Sequence, residues 1–387
     1  MCGVPSYLGT KGYRHNNGIG TVVHPFFFLL LNLNKFMNTK DNNFFLESLI
    51  NTPTPSGYET CYSLINSELS KYHKEPVFVD KIGNVFTKCG NGPIKILLSG
   101  HIDEVYASVI NISEDGMISI KNIGGIDRKD LTASIVQLIT DNNESIEGIV
   151  IKAPIHIEHK EDSYNRVTDF EDFRIDIGCE TKEEVLKKGI HPGTPVLYKK
   201  GCCLNFGENK MYGTGLDDKI GVFVSEEIFR TIIESNLKEW QNKYTVYFLA
   251  STQEEVGCRS VCIAAKNINP DVSIDFDVTF ATDGDLGLKK NVYGDICLGK
   301  GAVINYGPDK SLRLNKILKE EATIYQYGVS SAGGTNTDNI QKFSNNCETT
   351  LVSIPNRSMH TRVETCDWRD VDSAVEMVSN AIIRMKI

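Results

Sequence analysis

The 387-residue chain has no C-x-x-C pair, no low-complexity tract, no internal repeat and no basic stripe with interleaved aromatics. Without C-x-x-C spacings, a four-thiolate zinc site has no support. Without a basic face, and with a formal net charge of −9, nucleic acid is not an expected partner. There is also no hydrophobic run long enough for a bilayer. Residues 24–33 are apolar but interrupted by Asn32, and a spanning helix needs about 20 apolar residues. Lys11 and Arg14 precede this run as they would in a signal peptide, yet no small-x-small cleavage site follows. Full disulfide pairing is excluded too, because the eleven cysteines are odd in number and irregularly spaced. Scattered free thiols fit a reducing compartment, so a cytoplasmic location with no membrane partner is expected. Residues 1–36 read as a non-structural extension, with Met37 as a natural start.

What the chain does have is ordinary globular composition, 41% hydrophobic and 24% charged. Two textures alternate along it. Residues 37–104 and 200–387 combine helical periodicity with apolar runs such as 94–99, 244–250, 272–277 and 349–354. Near-continuous apolar runs belong to strands buried on both faces, which implies a mostly parallel sheet with helices. Helices are expected over about 42–67, interrupted at Thr52–Gly57 and resuming at Tyr58 with Ser56 as N-cap, and over 181–188, 220–233, 261–266, 312–321, 339–343 and 370–385. Residues 105–199 instead carry short β-rich pieces separated by turns, the pattern of an inserted β-rich domain.

The ends of the buried strands collect metal-ligand chemistry. The run 244–250 leads into Glu254-Glu255, two adjacent acids that repel each other and cost desolvation unless a positive charge lies beside them. The run 94–99 leads into His101 and Asp103, two residues apart and therefore on one face. Asp277 ends the run 272–277, and His360 follows the run 349–354. Asp217-Asp218 opens a helix, where the pair is either an N-cap or part of a site. In open α/β sheets, sites form beyond the carboxyl ends of the strands, so ligands distant in sequence can meet there. Imidazoles with carboxylates suit zinc, cobalt or manganese. The other histidines, His15, His24, His73, His156, His159 and His191, read as structural, exposed or outside the fold.

Ten short motifs then line up in order: PSGYE at 55–59, SGHIDE at 99–104, IGG at 123–125, DIG at 176–178, LDDKIG at 216–221, QEEVG at 253–257, DVT at 277–279, LGKG at 298–301, GGT at 333–335 and IPNRSMH at 354–360. Together they resemble the di-metal aminopeptidases of metallopeptidase family forty-two, which includes tetrahedral (TET), deblocking and glutamyl aminopeptidases. The resemblance runs from about residue 42 to the C-terminus. It implies an α/β zinc-peptidase three-layer sandwich with a mixed, mostly parallel central sheet and an inserted β-rich, PDZ-like dimerisation domain. It implies two divalent metal ions per subunit, zinc or cobalt with manganese possible. His101, Asp217 and Asp277 would hold one ion, and Asp217, Glu255 and His360 the other. Glu254 would be the general base and Asp103 would orient His101. It also implies peptide substrates and a homo-oligomer, a dimer or a tetrahedral dodecamer. The chain departs from the family at Lys219, where arginine is commoner, at Asn336, where aspartate is usual, and in the loop 282–285. Other zinc amidohydrolases (deacylase- or carboxypeptidase-like), a glycosidase and a non-catalytic scaffold are the alternatives.

Overall fold

The computed structural model describes residues 39–387 apart from 155, 157–166, 236, 286 and 332 and the side chains of 41 and 42. The expected extension, the start at Met37, and His15, His24 and His159 therefore lie outside the described residues. The apolar runs become the centre of an eight-stranded sheet. From edge to edge it consists of Phe78–Val79, Val85–Gly90, Tyr244–Ser251, Ile94–His101, Val272–Phe280, Glu348–Asn356, Val303–Tyr306 and Gln326–Val329. The four central strands are mutually parallel, and antiparallel pairing is confined to the flanks. Register brings Ser251 beside His101 and Asp275 beside Ser99, so the carboxyl ends of three central strands open at one level.

Both faces of the sheet are covered at its centre, which is why the central strands show no polar alternation. Leu97 and Leu249 pack with Val261, Ala264, Ala265, Ile268 and Ile340 from the helices Val261–Ile268 and Asn336–Phe343. Gly100 faces the opposite way, against the helix Leu216–Glu234. A Cβ on Gly100 would stand 2.6 Å from the Gly221 carbonyl carbon, so glycine permits helix and strand to approach this closely. Six antiparallel strands between Tyr106 and Tyr198 close into a separate barrel. Its interior is filled by Ala107, Val109, Ile118, Ile120, Val136, Leu138, Val150, Ile175 and Val196.

Several element boundaries move. The second N-terminal helix begins at Tyr62 rather than Tyr58, and Ser56 does not cap it, because its hydroxyl is given to Asp103. Asp277 does not end its strand, which pairs with Glu348–Asn356 as far as Phe280. The helix expected from Asn339 starts at Asn336.

The chain passes from sheet to barrel near Glu104 and returns near Lys200, and these two residues are ion-paired. Lys219, fully buried on the helix Leu216–Glu234, reaches the other Glu104 oxygen at 3.2 Å and the Thr52 carbonyl at 2.7 Å. The Thr54 amide donates to the same carboxylate at 2.9 Å. Burial opposes ionisation of Glu104, but Lys200 and Lys219 overcome it and hold its carboxyl below the usual range. Glu104→Gln keeps the shape, strands the buried Lys219 ammonium, and takes from Lys200, which burial pulls down to about 7, the charge that favours its proton. Removing one partner of a buried pair costs about 3–5 kcal/mol. The denaturant midpoint should fall accordingly at unchanged slope, and a variant as stable as the parent would refute the clamp.

Candidate metal centre and catalytic site

His101 closes its strand, 2% exposed. Its Nδ1 lies 3.1 Å from the Asp103 main-chain carbonyl and 3.5 Å from the Asp103 carboxylate. A proton on Nδ1, held by that carbonyl, turns the bare Nε2 toward Asp217 Oδ1 at 3.2 Å and Asp277 Oδ1 at 4.0 Å. His360 repeats the arrangement from the far side. Its Nδ1 meets the Gly125 carbonyl at 3.0 Å, and its Nε2 faces Asp217 Oδ2 at 3.2 Å and Glu255 Oε1 at 3.4 Å. The Gly125 carbonyl is thus the barrel's contribution to the centre. A Cβ at Gly125 would stand 2.9 Å from His360 Nδ1, which explains the second glycine of the IGG motif.

Asp217 lies between the two rings, one oxygen toward each. The two readings of Asp217-Asp218 divide between the residues. Asp218 behaves as a cap, accepting from the Gly221 amide at 3.0 Å and from the His101 amide at 3.1 Å. Asp217 joins the site. Both have non-helical backbone angles and are linked by a cis peptide bond, and regular helix begins after them.

Glu254 and Glu255 are placed by Asp103, whose two oxygens accept their amides at 2.9 and 3.1 Å. The Ser56 hydroxyl reaches the same carboxylate at 2.7 Å. Glu254 Oε1 accepts the Cys258 thiol at 3.0 Å, and Oε2 lies 3.8 Å from His101 Nε2. Gln253, with φ of 56°, is pinned by its amide to Glu59 at 3.1 Å.

Three contributors were given no site role by the sequence. Glu364 accepts from the Asp217 and His360 amides at 2.8 and 3.1 Å and from Asn356 at 3.0 Å. It arrives on a small antiparallel sheet in which it pairs with Gly213, just before Asp217. Ser56 and Gly125 complete the set, the latter acting through its main chain. A strand-end search finds none of them. The remaining described histidines stand apart: His73 packs on Phe229 and bonds Thr87, His191 pairs with Asp141, and His156 is exposed.

The electrostatics ask for cations. Asp103, Asp217, Asp218, Glu254, Glu255, Asp277 and Glu364 crowd around two imidazoles. Burial pushes Asp218 and Asp277 well above the usual carboxylate range, Glu254 upward, Glu255 to about 7 and Glu364 to about 8. Burial also opposes protonation of the imidazoles, yet Glu254, Asp103 and Asp217 lift His101 well above its ordinary value. Hydrogen bonds that its ring donates to Asp217 and Glu255 lift His360 to about 11. Asp217, flanked by both rings, is held low against its burial. Protons alone would have to balance this charge, and divalent ions would replace them. The donor sets fit. His101, Asp217 and Asp277 form one cluster and Asp217, Glu255 and His360 another, with the ligand atoms of each within 4.8 Å of one another. Two ligands about 2.1 Å from a tetrahedral ion stand about 3.4 Å apart, close to the shorter separations here.

The family model of the M42 glutamyl aminopeptidases matches residues 83–377. A lysyl aminopeptidase of Pyrococcus furiosus is 28% identical over 349 residues, 88% of this chain and 96% of its own. The TET aminopeptidase of the marine sediment archaeon Thaumarchaeota archaeon SCGC AB-539-E09 superposes with a TM-score of 0.80 at 27% identity, covering 88% of this chain and 96% of that one. The Pyrococcus horikoshii TET1 peptidase, which can assemble into a tetrahedron or a large octahedral shell, does so with a TM-score of 0.72 at 27% identity, covering 87% and 97%. With the family model spanning most of the chain and the donors gathered at the sheet's carboxyl edge, the chain belongs to the M42 peptidase family and is a metallo-aminopeptidase.

Proposed function

We propose that this aminopeptidase works with two divalent ions, zinc or cobalt with manganese also suited, one held by His101, Asp217 and Asp277 and the other by Asp217, Glu255 and His360. The observation that carries this reading is the pair of donor clusters sharing Asp217. Bound there, such ions would lower the pKa of a water and stabilise negative charge developing on the scissile carbonyl oxygen. The remaining work falls to the protein. Glu254, which belongs to neither cluster, takes the proton of the attacking water and returns it to the departing amine. Asp103 positions it by fixing the Glu254 and Glu255 amides, so the two side chains diverge to separate tasks. Cys258 holds one Glu254 oxygen, leaving the other for the proton.

The sheet covered on both faces supports a three-layer sandwich over residues 37–104 and 200–387. The barrel supports a PDZ-like dimerisation domain over 105–199. The TET1 relative's assemblies support a homo-oligomer, a dimer or a dodecamer. The ten described cysteines are all free, and among the described residues no helix is long and apolar enough to cross a membrane. Both observations are compatible with a cytoplasmic peptidase acting on peptides.

A panel of aminoacyl-nitroanilides, N-blocked peptides and a cellulose derivative, assayed with and without chelator and added zinc or cobalt, tests the reading. Metal-dependent cleavage of the free-amine substrates alone is expected. Equal cleavage of N-blocked peptides would point to a deacylase- or carboxypeptidase-like hydrolase, and release of sugar to a glycosidase.

A further inference from the structure

The family description names glutamate and the Pyrococcus furiosus relative lysine, so the N-terminal residue this chain accepts must be read from its own pocket. A cavity of about 420 Å³ adjoins the centre, between Glu254 and Glu255 on one side and Thr335, Asp338 and Asn339 on the other. This is within the ordinary size of a small-molecule pocket and admits a long side chain. Several of its neutral polar groups are already engaged. Asn339 Nδ2 donates to the Cys258 carbonyl at 2.8 Å, Thr335 bonds Thr337 at 2.7 Å, and the Cys258 thiol bonds Glu254. Among the described residues, no lysine, arginine or histidine lines it.

With Glu254 and Glu255 taken up by the centre, the charge left for an incoming side chain is Asp338, on the helix Asn336–Phe343 and 16% exposed. Its Oδ2 takes Lys342 Nζ at 2.5 Å, one turn further along, and its Oδ1 has no donor among the described residues. Lys342 is 60% exposed and does not line the cavity. Exposed pairs at this spacing are weak, so a second ammonium can share or displace it. A glutamate side chain entering the same space would meet the Asp338 carboxylate, offset only by the exposed Lys342, a repulsive element that disfavours it.

We propose that this cavity receives the side chain of the substrate's N-terminal residue, and that Asp338 selects lysine or arginine there. The inference rests on the aminopeptidase reading above and adds its substrate class. Holoenzyme is assayed on Lys-, Arg-, Leu- and Glu-nitroanilides, as parent, Asp338→Asn and Asp338→Glu, and L-lysinamide and L-leucinamide are compared as competitors. The parent should prefer Lys and Arg to Leu by about tenfold or more in kcat/KM, the scale of one hydrogen bond to a charged group, and should cleave Glu least. Asp338→Asn should lower the Lys and Arg values by about tenfold, mainly through KM, and weaken lysinamide in parallel. The Lys-to-Leu ratio of kcat/KM should therefore fall by about tenfold, and Asp338→Glu should restore the basic preference. Efficient cleavage with Leu or Glu preferred, or a Lys-to-Leu ratio indifferent to Asp338→Asn, overturns the inference and leaves the aminopeptidase reading standing. Failure to cleave any of the four overturns both.

Discussion

Glu254→Gln is expected to retain its metal and lose about 10²- to 10⁴-fold in kcat, the range over which a positioned general base contributes. The geometry makes this substitution selective. Glu254 stands outside both donor clusters, so an amide in its place removes no ligand. Its main-chain amide stays on Asp103, and an isosteric side chain can still receive the Cys258 thiol. What disappears is a carboxylate able to accept a proton beside the clusters. Elemental analysis of dialysed protein, run with steady-state kinetics on one preparation, separates the outcomes. Undiminished turnover with full metal content would remove Glu254 from the role of base. Loss of metal would make it a ligand.

Asp217→Asn should abolish the binding of both ions, whereas His360→Ala should abolish one. Asp217 is the only residue common to the two clusters, 3.2 Å from each imidazole Nε2 through a different oxygen. An asparagine offers one carbonyl oxygen where two anionic oxygens stood, and it leaves the two imidazoles without the charge they share. His360 belongs to one cluster, so its removal leaves His101, Asp217 and Asp277 intact. Metal per subunit after exhaustive dialysis should read near zero for the first variant and near one for the second. Two ions retained by Asp217→Asn would refute the shared ligand. The same loss in both variants would show that the clusters fill only together.

The contrast between what the sequence revealed and what it concealed has a physical basis. His101, Glu255 and His360 follow apolar runs. Such runs are strands of a parallel sheet, and a parallel sheet opens its site at one edge. Asp277 was found by the same logic, although its strand continues to Phe280 because Glu348–Asn356 offers partners that far. Ser56 resembles a helix cap in sequence, yet it serves Asp103, 47 positions away. Glu364 has no local signature. It reaches Asp217 because a three-stranded sheet sets it opposite Gly213, a register that sequence patterning does not encode. Glu104, Lys200 and Lys219 were legible as charges but not as a buried cluster, since their meeting depends on the path of the chain between sheet and barrel.

The grip of the barrel's Gly125 on His360 bears on how far this architecture is modular. By connectivity, the barrel looks like a cassette that a related chain could exchange without touching the chemistry. The hydrogen bond contradicts that independence, because one ring of the centre takes its orientation from the cassette's own loop. A graft that carries the barrel but rebuilds the turn at 123–125 would leave His101, Asp217 and Asp277 in place and remove the Nδ1 bond that helps to orient His360. A barrel exchanged between relatives would therefore have to keep this turn in place.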